Sequence, residues 1–389
     1  MSESGVPRHQ SAGAFPRGTT TLIALAAATV TAIGISGIKG IIAPVLLTLI
    51  LTICANPVRT FLLKHGVPGG IATGSVILVV FGLLAAFTYT IIIAFAQFVT
   101  MLPSYSKQFA QVGANIGAWL TSIGIGPDQV KAVEKGISPS NIAGVVTGAL
   151  GSVVGITASL VIVLTMMILM AADAVYTRTI LAQLSTRKPD LVIAIDQYAS
   201  NVRRYMVVTT VLGVVQGILN ALALYIMHVP AALLWGLLAF LCSFIPNIGY
   251  FFAITPPLIF GGLVGGWPTV IAIIIVYGII NAVVQSIIQP RVVGHAVSLS
   301  QTMTFFSVLF WAVIIGPIGA ILAIPLTLLV KAILIDSNPE SHWVRPALGP
   351  TSETRNILKA NDSAAKQDRK DHRADQKAQR KARSAAPPE

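Results

Sequence analysis

Five carboxamides stand at helical spacing inside stretches that are otherwise apolar. Asn281, Gln285 and Gln289 recur every fourth residue, and Gln216 and Asn220 repeat the interval beside Gly213 and Gly217. Residues four apart share one helix face, so each set draws a polar stripe. An amide offers donors and an acceptor without net charge. Such stripes either tie helices together inside a membrane or give a polar solute a neutral hydrogen-bonding path.

Charge is scarce around them. From Tyr205 to Val330, 126 residues, Arg291 is the one Asp, Glu, Lys or Arg. A charge at membrane depth is a functional candidate. Arg291 follows Pro290, so it reads either as an interfacial anchor or as an anion-attracting residue at the mouth of a pathway. His228 and His295 read as loop residues, and Lys331 as a side chain that snorkels to the surface. No paired acids, HExxH or P-loop lie in the apolar stretches. That weighs against an intramembrane metalloprotease and a self-sufficient ATP-driven pump, so no enzyme, metal site or cofactor is expected. Asp173, the one acid near an apolar segment, is shallow for a cation antiporter. Cys54 and Cys242 read as small buried hydrophobes.

These residues need apolar elements to position them, and composition supplies them. The chain has 389 residues, 54% hydrophobic and 10% charged, against about 25% charged in a soluble domain. No charge falls between Lys64 and Lys107, or between Lys135 and Asp173. Each run can hold a helix of the ~20 apolar residues that a bilayer requires. The fold class is therefore an all-α polytopic membrane protein. The net charge of +12 does not point to nucleic acid, because residues 355–383 hold ten Lys or Arg against four Asp. That stretch reads as a disordered cytoplasmic tail, or as one that touches anionic lipid.

Along the chain, residues 1–19 form a polar tail, 20–335 the transmembrane domain and 336–389 the basic tail. Spans are expected near 20–36 (retained, not a cleaved signal), 38–55, 71–100, 145–172, 205–227 and 269–288. A polar insert, 103–140, carries Phe109, Val112, Ile116 and Trp119 at helical spacing. It reads as an amphipathic outer-face element, on the membrane or on the protein. Gly144, Gly148, Gly151 and Gly155 predict a close helix contact. Basic residues in 56–70 and in 173–204 place those segments in the cytoplasm, with both termini.

The apolar runs 231–263 and 302–334 are each broken in the middle, at SFIPNIGY and IIGPIGA. Proline removes a backbone donor and disfavours helix before it. Each arm has about 15 residues, roughly 22 Å, short of the ~30 Å hydrocarbon core. Two re-entrant hairpins with about six full spans are preferred, and eight full spans are the alternative. The hairpins enter from opposite faces, an inverted repeat whose tips meet at a substrate site in secondary transporters. The candidate binding residues are Pro246, Asn247, Gly249, Gly316, Pro317 and Gly319 at the tips, with Gln216, Asn220, Asn281, Gln285 and Arg291. With hairpins Arg291 arrives in the cytoplasm; with eight spans it lies outside.

The segments NPVR (56–59), LPSY (102–105), NVRRYMVVTT (201–210), LLWGLLAFLCSFIPNIG (233–249), QPRVVG (289–294) and GPIGAILAIPLT (316–327) resemble the autoinducer-2 exporter family of multispanning bacterial transporters. The resemblance implies export or exchange of a small polar solute through the bacterial cell membrane, with a signalling molecule as type substrate. It also implies a moving hairpin-bearing unit and a homo-oligomer, a pentamer. Some relatives are linked to sodium/proton exchange, and a passive oligomeric channel is a further alternative. The better-known pattern has an acid in the span before QP, where this chain reads Val283-Val284-Gln285-Ser286.

Overall fold

Helix is the one kind of regular element in the computed structural model, which describes residues 17–349 save 137 and 294–298, and isolated positions from 354 to 367. Gly294, His295 and most of the basic tail lie outside the described residues. The chain runs α1 (Arg17–Gly37), α2 (Lys39–Lys64), α3 (Gly69–Met101), α4 (Ser106–Ser122), α5 (Pro127–Gly136), α6 (Pro139–Arg187) and α7 (Pro189–Ile226). It continues through α8 (Ala232–Cys242), α9 (Gly249–Asn281), a π-helical stretch (Ala282–Ile288), α10 (Gln289–Val293) and α11 (Gln301–Ile315). Then come α12 (Pro317–Ile321), α13 (Ala323–Lys331), a second π stretch (Ala332–Asp336), a 3-10 turn (Pro339–Val344) and α14 (Arg345–Leu348).

Among the described residues four helical stretches, Lys39–Lys64, Gly69–Ser122, Pro189–Ile226 and Gly249–Ile288, are long and apolar enough to cross a membrane, and α6, bent by 69°, makes a fifth if counted as one span. The chain is thus an all-α polytopic membrane protein. The cytoplasmic segment expected at 173–204 is built from the ends of α6 and α7, which meet at Lys188.

Both proline-broken runs fold back on themselves. Trp235 of α8 stacks on Phe260 of α9 at 5.6 Å, and Ala239 and Cys242 pack with Ala253. At the tip, Gly249 lies so close to the Cys242 carbonyl that a Cβ could not be accommodated. These pairs converge on the tip from both sides, so the arms of the hairpin are antiparallel. The chain then reverses once more at Gly266 (φ 64°, ψ −159°), a conformation that glycine adopts without steric cost. Gly261 meets Ile273, and Gly278 lies near the Tyr250 hydroxyl; in one straight helix those pairs would be about 18 and 42 Å apart. Hence α9 is two limbs, a return arm at 249–265 and the start of a full span at 267–281.

The second hairpin turns at Gly316 (φ 85°). Trp311 Nε1 donates to Thr327 Oγ1 across the arms at 3.0 Å. Gly319 sits against the Trp311 carbonyl with no space for a side chain. At 15 residues, α11 is about 22 Å long. A strap of residues 336–348 closes the base: Asp336 pairs with Lys331 at 2.7 Å and Arg345 at 2.8 Å, and Ser300 N–H donates to the Leu348 carbonyl at 2.8 Å.

The polar insert packs on the protein. Phe109 of α4 is buried with its ring 5.7 Å from Phe260, while Trp119 stays exposed. Among the described residues nothing lies within 4 Å of where a β-carbon on Gly144 or Gly151 would stand. Two motifs meet across α2 and α7. Pro57 has no N–H to give the Ile53 carbonyl four residues earlier, and Arg203 Nε donates to that carbonyl instead at 3.1 Å.

Candidate functional site

The two amide stripes face each other. Helix α7 and the last span are antiparallel, as three levels show. Arg204 Nε and Nη2 donate to the Val292 carbonyl at 3.1 and 2.8 Å. Gln216 Nε2 reaches Asn281 Oδ1 at 3.5 Å, and Leu224 shares an apolar cluster with Ile273 and Tyr277. The first hairpin closes the third side. Gly213 fits under Ser243 and Phe240, and Gly217 under Gly236 and Phe240, at separations that leave no room for a β-carbon. Small residues in α7 thus let the hairpin arm lie directly on the polar stripe.

A narrow crevice runs through this junction, lined by Thr209, Leu212, Gly213, Gln216, Ser243, Val284, Gln285 and Gln289. It has no room for a water molecule. Gln285 lies in the seven-residue π stretch, a widened turn often found at functional sites. Pro290 contributes locally, because it cannot donate to the Ser286 carbonyl.

The seam is bounded at both ends. On one side lies an aromatic plug in which the Phe98 ring packs 5.0 Å from Trp235 and 4.9 Å from Phe260. On the other, the Arg204 contact with Val292 holds the chain that carries Arg291, which is itself exposed. Arg291 therefore lies at the same end of the molecule as Arg203 and Arg204, as the hairpin reading requires. Within the seam, Gln216 (3% exposed) leaves its Oε1 unpaired, and Asn220 (0%) leaves both amide atoms unpaired.

The structure brings Gln216, Asn281 and Gln285 together, with Gln289 beside them and Asn220 one turn on. Of the first tip it brings Ser243 to the crevice, but Pro246, Asn247, Gly249, Gly316, Pro317 and Gly319 do not line it. Asn247 is exposed with φ 65°, and Pro246 is half-buried. Gly249 and Gly319 serve close packing, Gly316 makes the turn and Pro317 is exposed. Phe244, Ile245 and Ile248 of the first tip share an apolar cluster with Ile315, Ile318 and Ile321 of the second. Thr209, Ser243 and Tyr277 were not marked by the sequence; a four-residue step from Asn281 back to Tyr277 was the one available signal.

Among the described residues no three His, Cys, Asp or Glu side chains gather as metal ligands would. The profile of the AI-2E family transporter matches residues 20–338. AI-2 transport protein TqsA of Escherichia coli (strain K12) is 27% identical over 304 residues, 77% of this chain and 87% of its own. YhhT of the same organism, whose name assigns transport provisionally, is 26% identical over 315 residues, 81% of this chain and 90% of its own. A provisionally named transport protein of Haemophilus influenzae is 26% identical over 340 residues, covering 86% and 97%. The match over most of the chain, on a multi-pass helical framework, makes this protein a member of the AI-2E transporter family.

Proposed function

We propose that this chain is a secondary transporter that moves a small polar, uncharged solute through the seam between α7, the first hairpin and the last span. The observation that carries the reading is the crevice itself: Gln216, Gln285, Gln289, Thr209 and Ser243 line one narrow crevice in an otherwise apolar protein. Alternating access needs one wall to move. The first hairpin is that wall, because it rests on α7 through glycine contacts. With positive charge inside, Arg203, Arg204 and Arg291 mark the cytoplasmic face, and both termini lie there. The hairpins then enter from opposite faces, the first from outside.

The cargo class follows from the lining, which offers hydrogen bonds and no charge. Tyr205 to Val330 holds no Asp or Glu, which disfavours sodium/proton exchange by an acid in this seam. The name of the TqsA relative makes the signalling molecule AI-2 one candidate cargo. Export, transport instead of catalysis, and assembly of several copies each with its own seam belong to the same reading, as does a basic tail resting on anionic lipid.

The test is solute release from proteoliposomes loaded with a cell extract and read by mass spectrometry. Wild-type protein is expected to release one or a few neutral solutes, and Gln285→Leu to slow them at least tenfold. Unitary currents in planar bilayers would instead establish a channel.

A further inference from the structure

The polar seam continues past the crevice toward the outer face. Gln216 pairs with Asn281 across antiparallel helices. One turn outward on each helix stand Asn220 and Tyr277, which the same register sets at one level. Asn220 is 0% exposed and Tyr277 is 1% exposed. Neither Asn220 Oδ1 nor Asn220 Nδ2 has a partner, and the Tyr277 hydroxyl and Gln216 Oε1 lack one too. Four polar atoms at two adjacent levels are therefore dehydrated and unbonded in this structure. Buried polar groups are nearly always paired, so such a concentration calls for a ligand.

The elements packed here are largely apolar. The part of α8 that packs on the neighbouring Gly217 and Ala221 is Gly236 and Phe240, which carry no side-chain hydrogen-bonding group. Tyr277 packs with Ile254, Phe260 and Ile273. A leucine and a phenylalanine would suit this packing as well. The amide and hydroxyl are thus a cost in this structure that a merely structural site would avoid.

We propose that Asn220 and Tyr277 form an outer recognition station, which hydrogen-bonds solute after it leaves the Gln216–Asn281 level and before it passes the aromatic plug. The inference rests on the transport reading and adds to it a residue, Tyr277, and a rule of selection. The station offers an amide donor, an amide acceptor and a phenolic hydroxyl that can do either. It therefore suits an uncharged group that gives and takes hydrogen bonds, a hydroxyl or a carboxamide. A site of this kind rejects analogues that lack the group far more strongly than an apolar pocket rejects a missing methylene.

Two measurements on full-length protein test the station. In detergent, Asn220→Leu and Tyr277→Phe are expected to raise the unfolding temperature by a few degrees, because each removes an unmet polar group. In vesicles of phosphatidylethanolamine and phosphatidylglycerol loaded with cell extract, both variants are expected to lower release of the wild-type cargo at least tenfold. Tyr277→Phe is also expected to narrow the preference for hydroxylated solutes over their deoxy analogues. Unchanged release and preference in both variants would overturn the station and leave the transport reading intact. A lower unfolding temperature in both would overturn it in favour of structural hydrogen bonds. No release by wild type would overturn the transport reading, and the station with it.

Discussion

The hairpin at 232–265 turns through the non-helical residues 243–248 and rests on α7 through Gly213, Gly217 and Gly236. The hairpin at 301–331 turns at Gly316, is pinned across its arms by Trp311 and Thr327, and is strapped at its base by Asp336 and Leu348. One is held by close van der Waals contact, the other by polar ties at mid-arm and base. A surface of small residues can slide or separate without breaking hydrogen bonds. A riveted hairpin moves as a block with its neighbours. Two segments of like sequence pattern are thus held by unlike contacts, and the seam lies beside the first.

The comparison can be broken most severely at Gly236. Its missing side chain leaves space for the Gly217 carbonyl and Ala221 at 2.7 and 2.6 Å from where a β-carbon would stand. Gly236→Leu is expected to push the first hairpin off α7 and cost about 3 kcal/mol, seen as a lowered unfolding temperature with loss of solute release. Next is Asp336→Ala, which strips Lys331 and Arg345 of their shared partner. Because Arg345 is one-third exposed, the expected cost is about 1–2 kcal/mol, with faster proteolysis at the 336–348 strap. Thr327→Val removes the acceptor of Trp311 and is expected to cost about 1 kcal/mol, again in thermal unfolding. Gln285→Leu should leave stability within about 0.5 kcal/mol while release falls, which separates the path from the scaffold.

Much of this architecture was legible in the chain. Pro246 and Pro317 in the middle of runs with short arms announced both hairpins, and the four-residue interval of Asn281, Gln285 and Gln289 announced the seam. What stayed hidden depends on contacts distant in sequence. The service of Arg203 to the carbonyl that Pro57 orphans joins residues 150 apart, and no local pattern encodes it. Thr209, Ser243 and Tyr277 look like ordinary filler in apolar helices until α7, the hairpin and the last span are laid together. The expectation that the tips build the binding site rested on inverted-repeat logic; in this structure Phe244, Ile245 and Ile248 of one tip share an apolar cluster with Ile315, Ile318 and Ile321 of the other, and Ser243 lines the crevice.

The most direct test joins the two faces of the seam. Cysteines at 216 and 281, in a chain with Cys54 and Cys242 replaced by alanine, should cross-link through mercury. Cross-linking should stop solute release, and a thiol reductant should restore it. Release that continues at full rate through a fully cross-linked protein would contradict a path that opens between α7 and the last span.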